Sequence, residues 1–296
     1  MIITAYNRKD YLLDAVKSAL NQTLDKKYYE IIVIKNFSDN IIDDFINKNN
    51  IKNIPSNDAS FSGKICEALK IARGNIISFL DDDDLFFNNK LEYVNKIFND
   101  KNVVYYHNKN IVINENSDRI DYSYNNIDFN MSSISITREI IDINILKSVK
   151  YSIDTLMYMF ALNSGKKIID GNEILTYYRM HNSITHNFDG SINKYIKFNI
   201  NSFNNVLDSY NKMYKLFNNN YIKNLLLHKI IFTYFLLKIF DNKKVSLRKY
   251  IMFFFTKSCN KNRLYEYKVL IASLFLRKIA IDRLYKNEIN KLNKTN

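Results

Sequence analysis

The sequence contains no tryptophan, a single proline (Pro55), five glycines and two cysteines in 296 residues. Cys66 and Cys259 stand far apart and outside any Cys-x-x-Cys or Cys/His spacing, which argues against a disulfide framework or a zinc site and for a reducing compartment. The first 62 residues lack glycine, so the glycine-rich phosphate loop that a nucleotidyltransferase needs after its first strand is missing. No basic segment followed by an apolar one opens the chain, which argues against export by a signal peptide. Acidic residues run short in the last third. Residues 191–296 hold 5 Asp and Glu against 21 Lys and Arg, a net of +16, whereas residues 1–190 hold 25 against 22, a net of −3. The formal charge of +13 therefore belongs to one segment. The last glycine is Gly190, so charge and chain punctuation change together, and the expected domains are 1–190 and 191–296.

Hydrophobic residues make up 47% of the chain, enough for one large core with an appended helical region. Met1 to Ala5 reads as a buried strand, and apolar residues at helical spacing follow over Asp10 to Asn21. Glu30 to Ile34 is a second β-branched run, with helical patterns over Asp39 to Asn47 and Gly63 to Ala72. Gly74 stops the last of these, and Asn75 to Leu80 is a strand that runs into Asp81, Asp82, Asp83 and Asp84. Further on, Lys90 to Phe98 and Asp154 to Leu162 read as helices, and Val103 to Tyr106 and Ser132 to Thr137 as strands. This alternation predicts an α/β fold with a mostly parallel sheet flanked by helices. Beyond residue 190, the apolar stretches Tyr221 to Phe240, Tyr250 to Phe255 and Val269 to Ile281 predict an all-α basic region. The strongest of them, Leu225 to Phe240, is interrupted by His228, Lys229 and Lys238. It would reach only about 24 Å against a hydrocarbon core of about 30 Å, so a membrane crossing is not favoured.

Ligands of such sheets bind at the carboxyl ends of the strands, where the four aspartates lie. Carboxylates packed so closely repel one another unless a cation joins them, and oxygen-only donors suit magnesium or manganese. A divalent ion bridging carboxylate and diphosphate lets a nucleoside diphosphate leave with its charge neutralised. The competing reading is a solvated acidic turn that caps the next helix.

Four stretches, in order, resemble the signatures of family 2 glycosyltransferases with the GT-A fold: Ile2-Ile3-Thr4-Ala5-Tyr6-Asn7-Arg8, Ala15 to Thr23, Glu30 to Ile34 and Ala72 to Asp84. The resemblance covers about residues 1–190. It implies that Asp81 and Asp83 correspond to the outer carboxylates of the family's DxD motif, contacting ribose and metal, with Asp83 the direct metal ligand and Asp82 or Asp84 able to share. Thr4 and Tyr6 match positions lining the nucleobase pocket, with a core ring the alternative for Tyr6; Asn7, Arg8 and Asn36 are further binding candidates. Lys35-Asn36-Phe37-Ser38 replaces the usual Asp-Asp-Gly-Ser, so the base-reading acid is missing and the nucleobase stays open. Lys64 falls beside the family's arginine position and would meet the diphosphate, or else is a solvated helix residue.

Asp154, in Ser152-Ile153-Asp154-Thr155, matches the place of the family's catalytic base, which takes the acceptor's proton in an inverting transfer. An aspartate serving the first turn of a helix is the alternative. Asn130 to Ser135 resembles the acceptor-side segment. Tyr177-Tyr178-Arg179-Met180-His181 resembles the closing Tyr-Arg-x-His segment, which implies phosphate contact for Arg179 and phosphate or metal contact for His181. The implied donor is a UDP- or GDP-sugar, the implied acceptor a glycan or lipid-linked sugar, and the implied cofactor Mn or Mg.

The basic tail fits an anionic lipid surface, each cation near it contributing about 1 kcal/mol. A peripheral location on the inner face of the cell membrane is the expectation. A non-enzymatic nucleic-acid-binding protein is the reading from another class; the near-neutral first region and the tetra-aspartate weigh against it.

Overall fold

A computed structural model describes residues 1–120, 129–180, 191–259 and 263–295, with side chains described as far as 290. The chain divides into two compact units, Met1–Met180 and His181–Asn296.

The first unit opens with strand β1 (Ile2–Ala5), buried at every position, as a parallel strand covered on both faces must be. Helix α1 (Leu12–Leu20) turns Leu12, Ala15, Val16 and Ala19 inward. Strand β2 (Ile32–Lys35) follows, then helix α2 (Asn40–Lys48), whose first amides are capped by the Asp39 carboxylate. Strand β3 (Lys52–Pro55) comes next, then helix α3 (Phe61–Ile71), capped by Ser60 through the Gly63 amide. Gly63 faces the Asp58 carboxylate so closely that a Cβ there would lie 2.0 Å from Asp58 Oδ2, so a larger residue would displace that carboxylate. Strands β4 (Ile76–Asp81) and β5 (Leu85–Phe86) flank the aspartates. The unit continues with helix α4 (Lys90–Ile97), strands β6 (Val103–Ile113) and β7 (Ile134–Thr137), helices α5 (Ile143–Ser148) and α6 (Ile153–Ser164), and strand β8 (Lys167–Arg179).

The eight strands form one sheet in the order β3-β2-β1-β4-β7-β6-β8-β5. Pairing is parallel from β3 to β4. Beyond β4 the sheet is mixed: β7 is antiparallel to both β4 and β6, β8 is parallel to β6, and β5 is antiparallel to β8. The α/β architecture expected from the sequence is present, with parallel pairing among β1–β4 and again between β6 and β8. Strand β3 escapes a pattern search because it is a half-exposed edge strand ending in Pro55. The outer half of β6 is hidden by its polar residues. Among these Asn108 is fully buried, bonding through Nδ2 to the Lys109 carbonyl and to Thr176 Oγ1, 2.7 and 3.0 Å away.

The second unit is helical over its described residues: α7 (Ile192–Leu216), α8 (Asn220–Asp241), α9 (Leu247–Phe255), α10 (Leu264–Phe275) and α11 (Arg277–Thr295). Helix α8 is buried along its length, with Ile222, Leu226, Ile231, Phe235 and Ile239 at most 1% exposed. Its apolar run is therefore a helix core. Among the described residues no helix is long and apolar enough to cross a membrane. His228 serves this core too: it lies 2.8 Å from Thr256 Oγ1 and 3.1 Å from the Glu266 carboxylate and stacks on Phe253.

Candidate active site

The register of the parallel strands builds the site. Thr4 on β1 is paired with Asp81 on β4, and Ala5 with Lys35 on β2. The residues following these strands therefore emerge at one sheet edge, although they are far apart in sequence. Thr4 is buried, Tyr6 is exposed, and Asn7 takes a left-handed backbone with φ 54°, a conformation asparagine tolerates better than most residues. That turn is locked to β2 by a reciprocal pair: the Asn7 amide donates to Asn36 Oδ1 at 2.8 Å, and Asn36 Nδ2 donates to Asn7 Oδ1 at 2.5 Å. Lys35, standing where the resemblance would place an acid, is buried and turned away, with Nζ 2.7 Å from Asp43 and donating to the Phe37 carbonyl.

Arg8 then reaches the aspartates. Its guanidinium bonds to Asp82 and lies 2.7 Å from Asp83 Oδ2. Burial weakens its charge, but the two carboxylates more than restore it. Asp84 is fully buried and accepts the Arg179 amide at 2.9 Å. Ser132, ahead of β7, receives the Asp81 amide on its hydroxyl at 3.0 Å. Burial, followed by mutual repulsion, raises the carboxyls of Asp81 and Asp84 well above the ordinary range. Asp82 is pushed up to about 6 by burial and Asp83, against the pull of Arg8. The four aspartates are thus no solvated turn. Arg8 is ion-paired with two of them and Arg179 braces the loop through its amide and Nε, yet the cluster carries more negative charge than Arg8 offsets.

Arg179, at the end of β8, is buried. It donates Nε to the Asp83 carbonyl at 2.9 Å and Nη1 to the Asn114 and Glu115 carbonyls and the Ser117 hydroxyl, with its fork over the Tyr11 ring. Most of the fork therefore clamps the acidic loop to the turn after β6, and Nη2 is buried without a protein partner among the described residues. Lys64 is not a solvated helix residue. It is 1% exposed, donates to the Asp58 carbonyl at 2.7 Å and lies 4.4 Å from the centre of the Tyr6 ring. Burial lowers its pKa. Tyr6 is accordingly a surface ring over a buried cation rather than a core ring.

Asp154 lies in the first turn of α6 and is partly exposed, with Oδ1 accepting the Thr155 amide at 2.6 Å. It follows Ser152, which is left-handed at φ 57°. The Tyr105 hydroxyl of β6, buried and without a partner among the described residues, feels its charge: burial and then Asp154 raise that phenol. His181 lies outside the described residues.

The structure brings Thr4, Tyr6, Asn7, Asn36, Lys64, Asp81, Asp82, Asp83 and Arg179 to one edge. It adds Lys90, whose part in the site the sequence did not reveal, and turns Ser132, from the segment that resembles the acceptor side, onto the Asp81 amide. Lys90 is fully buried, bonding to the Ser132 carbonyl and to Thr176 Oγ1 at 3.0 Å; burial pulls its pKa well down, against the opposing charge of Asp84. A lysine opening a helix normally points to water, and nothing in Asn88-Asn89-Lys90 marks this one as different.

Among the described residues no three His, Cys, Asp or Glu side chains form a ready metal cage. The donor set nevertheless fits a hard cation. It offers carboxylate oxygens alone, raised in pKa by burial and then by their crowding, and Asp84 Oδ2 is buried with no hydrogen-bond partner among the described residues.

The sequence pattern of glycosyl transferase family 2 matches residues 1–162, more than half of the chain. The chain belongs to that family. It is 30% identical over 197 residues to the UDP-Glc:alpha-D-GlcNAc-diphosphoundecaprenol beta-1,3-glucosyltransferase WfaP of Escherichia coli, covering 61% of this chain and 76% of that protein. An uncharacterized glycosyltransferase of Rickettsia bellii is 32% identical over 111 residues; the match covers 36% of this chain and only 16% of that much longer protein. In fold the chain is similar to S. aureus TarS 1–349 in complex with UDP-GlcNAc, with a TM-score of 0.55 and 14% identity over 99% of this chain and 88% of that one. It is also similar to the mannosyltransferase PcManGT of Pyrobaculum calidifontis, in complex with GDP-Man and Mn2+, with a TM-score of 0.53 and 11% identity over 99% and 85%. The GT-A fold of this family 2 chain thus has experimental counterparts.

Proposed function

We propose that the protein transfers a sugar from a UDP- or GDP-sugar to the hydroxyl of a glycan or lipid-linked acceptor, with inversion and with a divalent cation. The observation that carries this reading is the edge where Tyr6-Asn7-Arg8, Asn36 and Asp81 to Asp84 meet, which combines an exposed aromatic ring, hydrogen-bonding side chains and surplus carboxylate. The relatives supply the substrate classes: the E. coli protein is named for UDP-Glc and a diphosphoundecaprenol-linked GlcNAc, and the solved neighbours hold UDP-GlcNAc or GDP-Man.

In this arrangement Thr4, Tyr6, Asn7 and Asn36 border the nucleoside, and Asp81 and Asp82 bind its ribose and sugar. Lys64 and Arg179 offset diphosphate charge at the margin, Lys64 from beneath the Tyr6 ring. Asp83 and Asp81 are the residues to hold Mn or Mg, with His181 as a further ligand. The bound ion would neutralise the departing diphosphate. Asp154 accepts the acceptor's proton as the hydroxyl oxygen attacks the anomeric carbon. The bond from that carbon to the diphosphate oxygen breaks on the opposite side, which inverts the centre.

Calorimetric titration of UDP, GDP and their sugar conjugates, with manganese and then with excess chelator, tests the reading. Binding of one nucleotide that vanishes with chelator, and that Asp83→Ala removes, is the expected result. No binding under any condition overturns it.

A further inference from the structure

The second unit carries an apolar face that its own core leaves unused. On α9, Leu247, Ile251 and Phe254 follow one another by four and three residues along one side and are exposed by 74, 52 and 57%, while Phe253 on the other side is fully buried. On α10, Tyr267, Ile271 and Phe275 recur every four residues and are also exposed, Phe275 by 78%, whereas Val269, Leu270 and Ser273 face inward. The Phe254 and Tyr267 rings stack with centroids 6.4 Å apart, which joins the two stripes into one face. Isolated exposed apolar residues need no explanation, but a contiguous set across two helices marks an interaction surface.

Its surroundings say what it meets. Residues 242–281 contain ten Lys and Arg and one acid, Glu266. That acid is 2% exposed and bonded to His228 and Ser258, so it offsets nothing outside. Arg248, Lys257, Lys268 and Lys278 are exposed on or beside the same helices. A second copy of the same face would bring cations against cations, and a nucleic acid would match the charge while leaving the aliphatic stripe in water. Apolar side chains rimmed by cations alone match an interface whose surface is anionic and whose interior is hydrocarbon. Helices of 9 and 12 residues reach only about 14 and 18 Å, so they lie in the interface rather than cross it.

We infer that α9 and α10 dock the protein on an anionic phospholipid surface, with Phe254 and Phe275 inserted among the lipids and the surrounding Lys and Arg on headgroup phosphates. This places the protein at an anionic leaflet such as the inner face of the cell membrane. The inference stands on the second unit alone and does not rest on the transfer reaction.

The test is flotation of the full chain with phosphatidylcholine vesicles that contain or lack phosphatidylglycerol. The wild type is expected to float with the anionic vesicles and to be released by salt. The Phe254→Ser/Phe275→Ser double variant should lose on the order of a hundredfold in partitioning, and Lys257→Glu/Lys268→Glu at least about twentyfold. All of these positions are exposed, so circular dichroism should show unchanged helix content, and metal-dependent nucleotide binding in the same variants should be unchanged. Equal flotation on neutral and anionic vesicles overturns the inference, as does wild-type flotation of the double aromatic variant. A dimer that this variant dissolves would give the face to a second copy, and a single-stranded DNA probe that binds as tightly as the anionic vesicles and displaces them would give it to nucleic acid; either result also overturns it.

Discussion

The two units place their charges in opposite ways. In the first, Lys35, Lys64, Lys90, Asp82, Asp84 and Arg179 are all buried, with Lys35, Asp82, Asp84 and Arg179 at or just past the ends of β2, β4 and β8. In the second, the charge excess is much larger, yet the only buried charged residue among those described, histidines aside, is Glu266, ion-paired with Arg263 and hydrogen-bonded to His228. Buried charge is costly unless partnered, so its concentration at one edge of the first unit marks where the fold gives up stability for chemistry. The second unit builds an ordinary apolar core around α8 and keeps its cations for an outside surface.

The largest effect expected in the first unit is on chemistry rather than on folding. Asp154→Asn should leave nucleotide affinity unchanged and reduce transfer by about 10²- to 10⁴-fold, measured as turnover with saturating donor. Retained turnover would remove Asp154 as the base. Next in size, Arg179→Ala should destabilise the protein by about 3 kcal/mol in urea denaturation, because four protein acceptors lose their buried donor. A loss below about 1 kcal/mol would mean that the clamp on the acidic loop is dispensable.

A smaller effect separates a half-buried ion pair from the site. Burial pushes the Glu30 carboxyl up, but Lys52 and the backbone amides of Arg73 and Gly74 together pull it down to about 2 from an ordinary 4.5. A depressed carboxyl contributes in full above the unfolded value, and its contribution is lost as pH falls from about 4.5 towards 2. After allowance for solvent screening this is about 1–2 kcal/mol, and Glu30→Gln should flatten the stability-against-pH curve over that window. The smallest effect belongs to the second unit. The Lys212 ammonium lies 2.7 Å from Asp208 one helical turn away, and both are exposed. Lys212→Ala should change stability by less than about 0.5 kcal/mol. A larger value would break the contrast between the units.

Much of the first unit is legible along the chain because its strands are short, apolar and followed at once by polar turns. The β1 run Ile2-Ile3-Thr4-Ala5 and the β4 run ending at Asp81 announce both burial and carboxyl end. Strand β8 and helix α7 are not legible in this way. The former mixes Asp170, Gly171, Asn172 and Glu173 into a strand of 13 residues that bulges past β6, and the latter hides a narrow apolar stripe among Lys and Asn.

The sequence by itself determined the family, the α/β class, the acidic strand end and the uneven division of charge, since each is written in local order and periodicity. Only the tertiary structure decided which charges meet. Arg8 reaches Asp82 across 74 residues because β1 and β4 are neighbours in the sheet. Lys90 turns inward because the Ser132 carbonyl and Thr176 hydroxyl wait there, and Phe254 and Phe275 stay outside because the core around α8 is already filled by others. Periodicity records how much of a residue is buried; the identity of its partner depends on strand order and helix packing, which no local pattern contains.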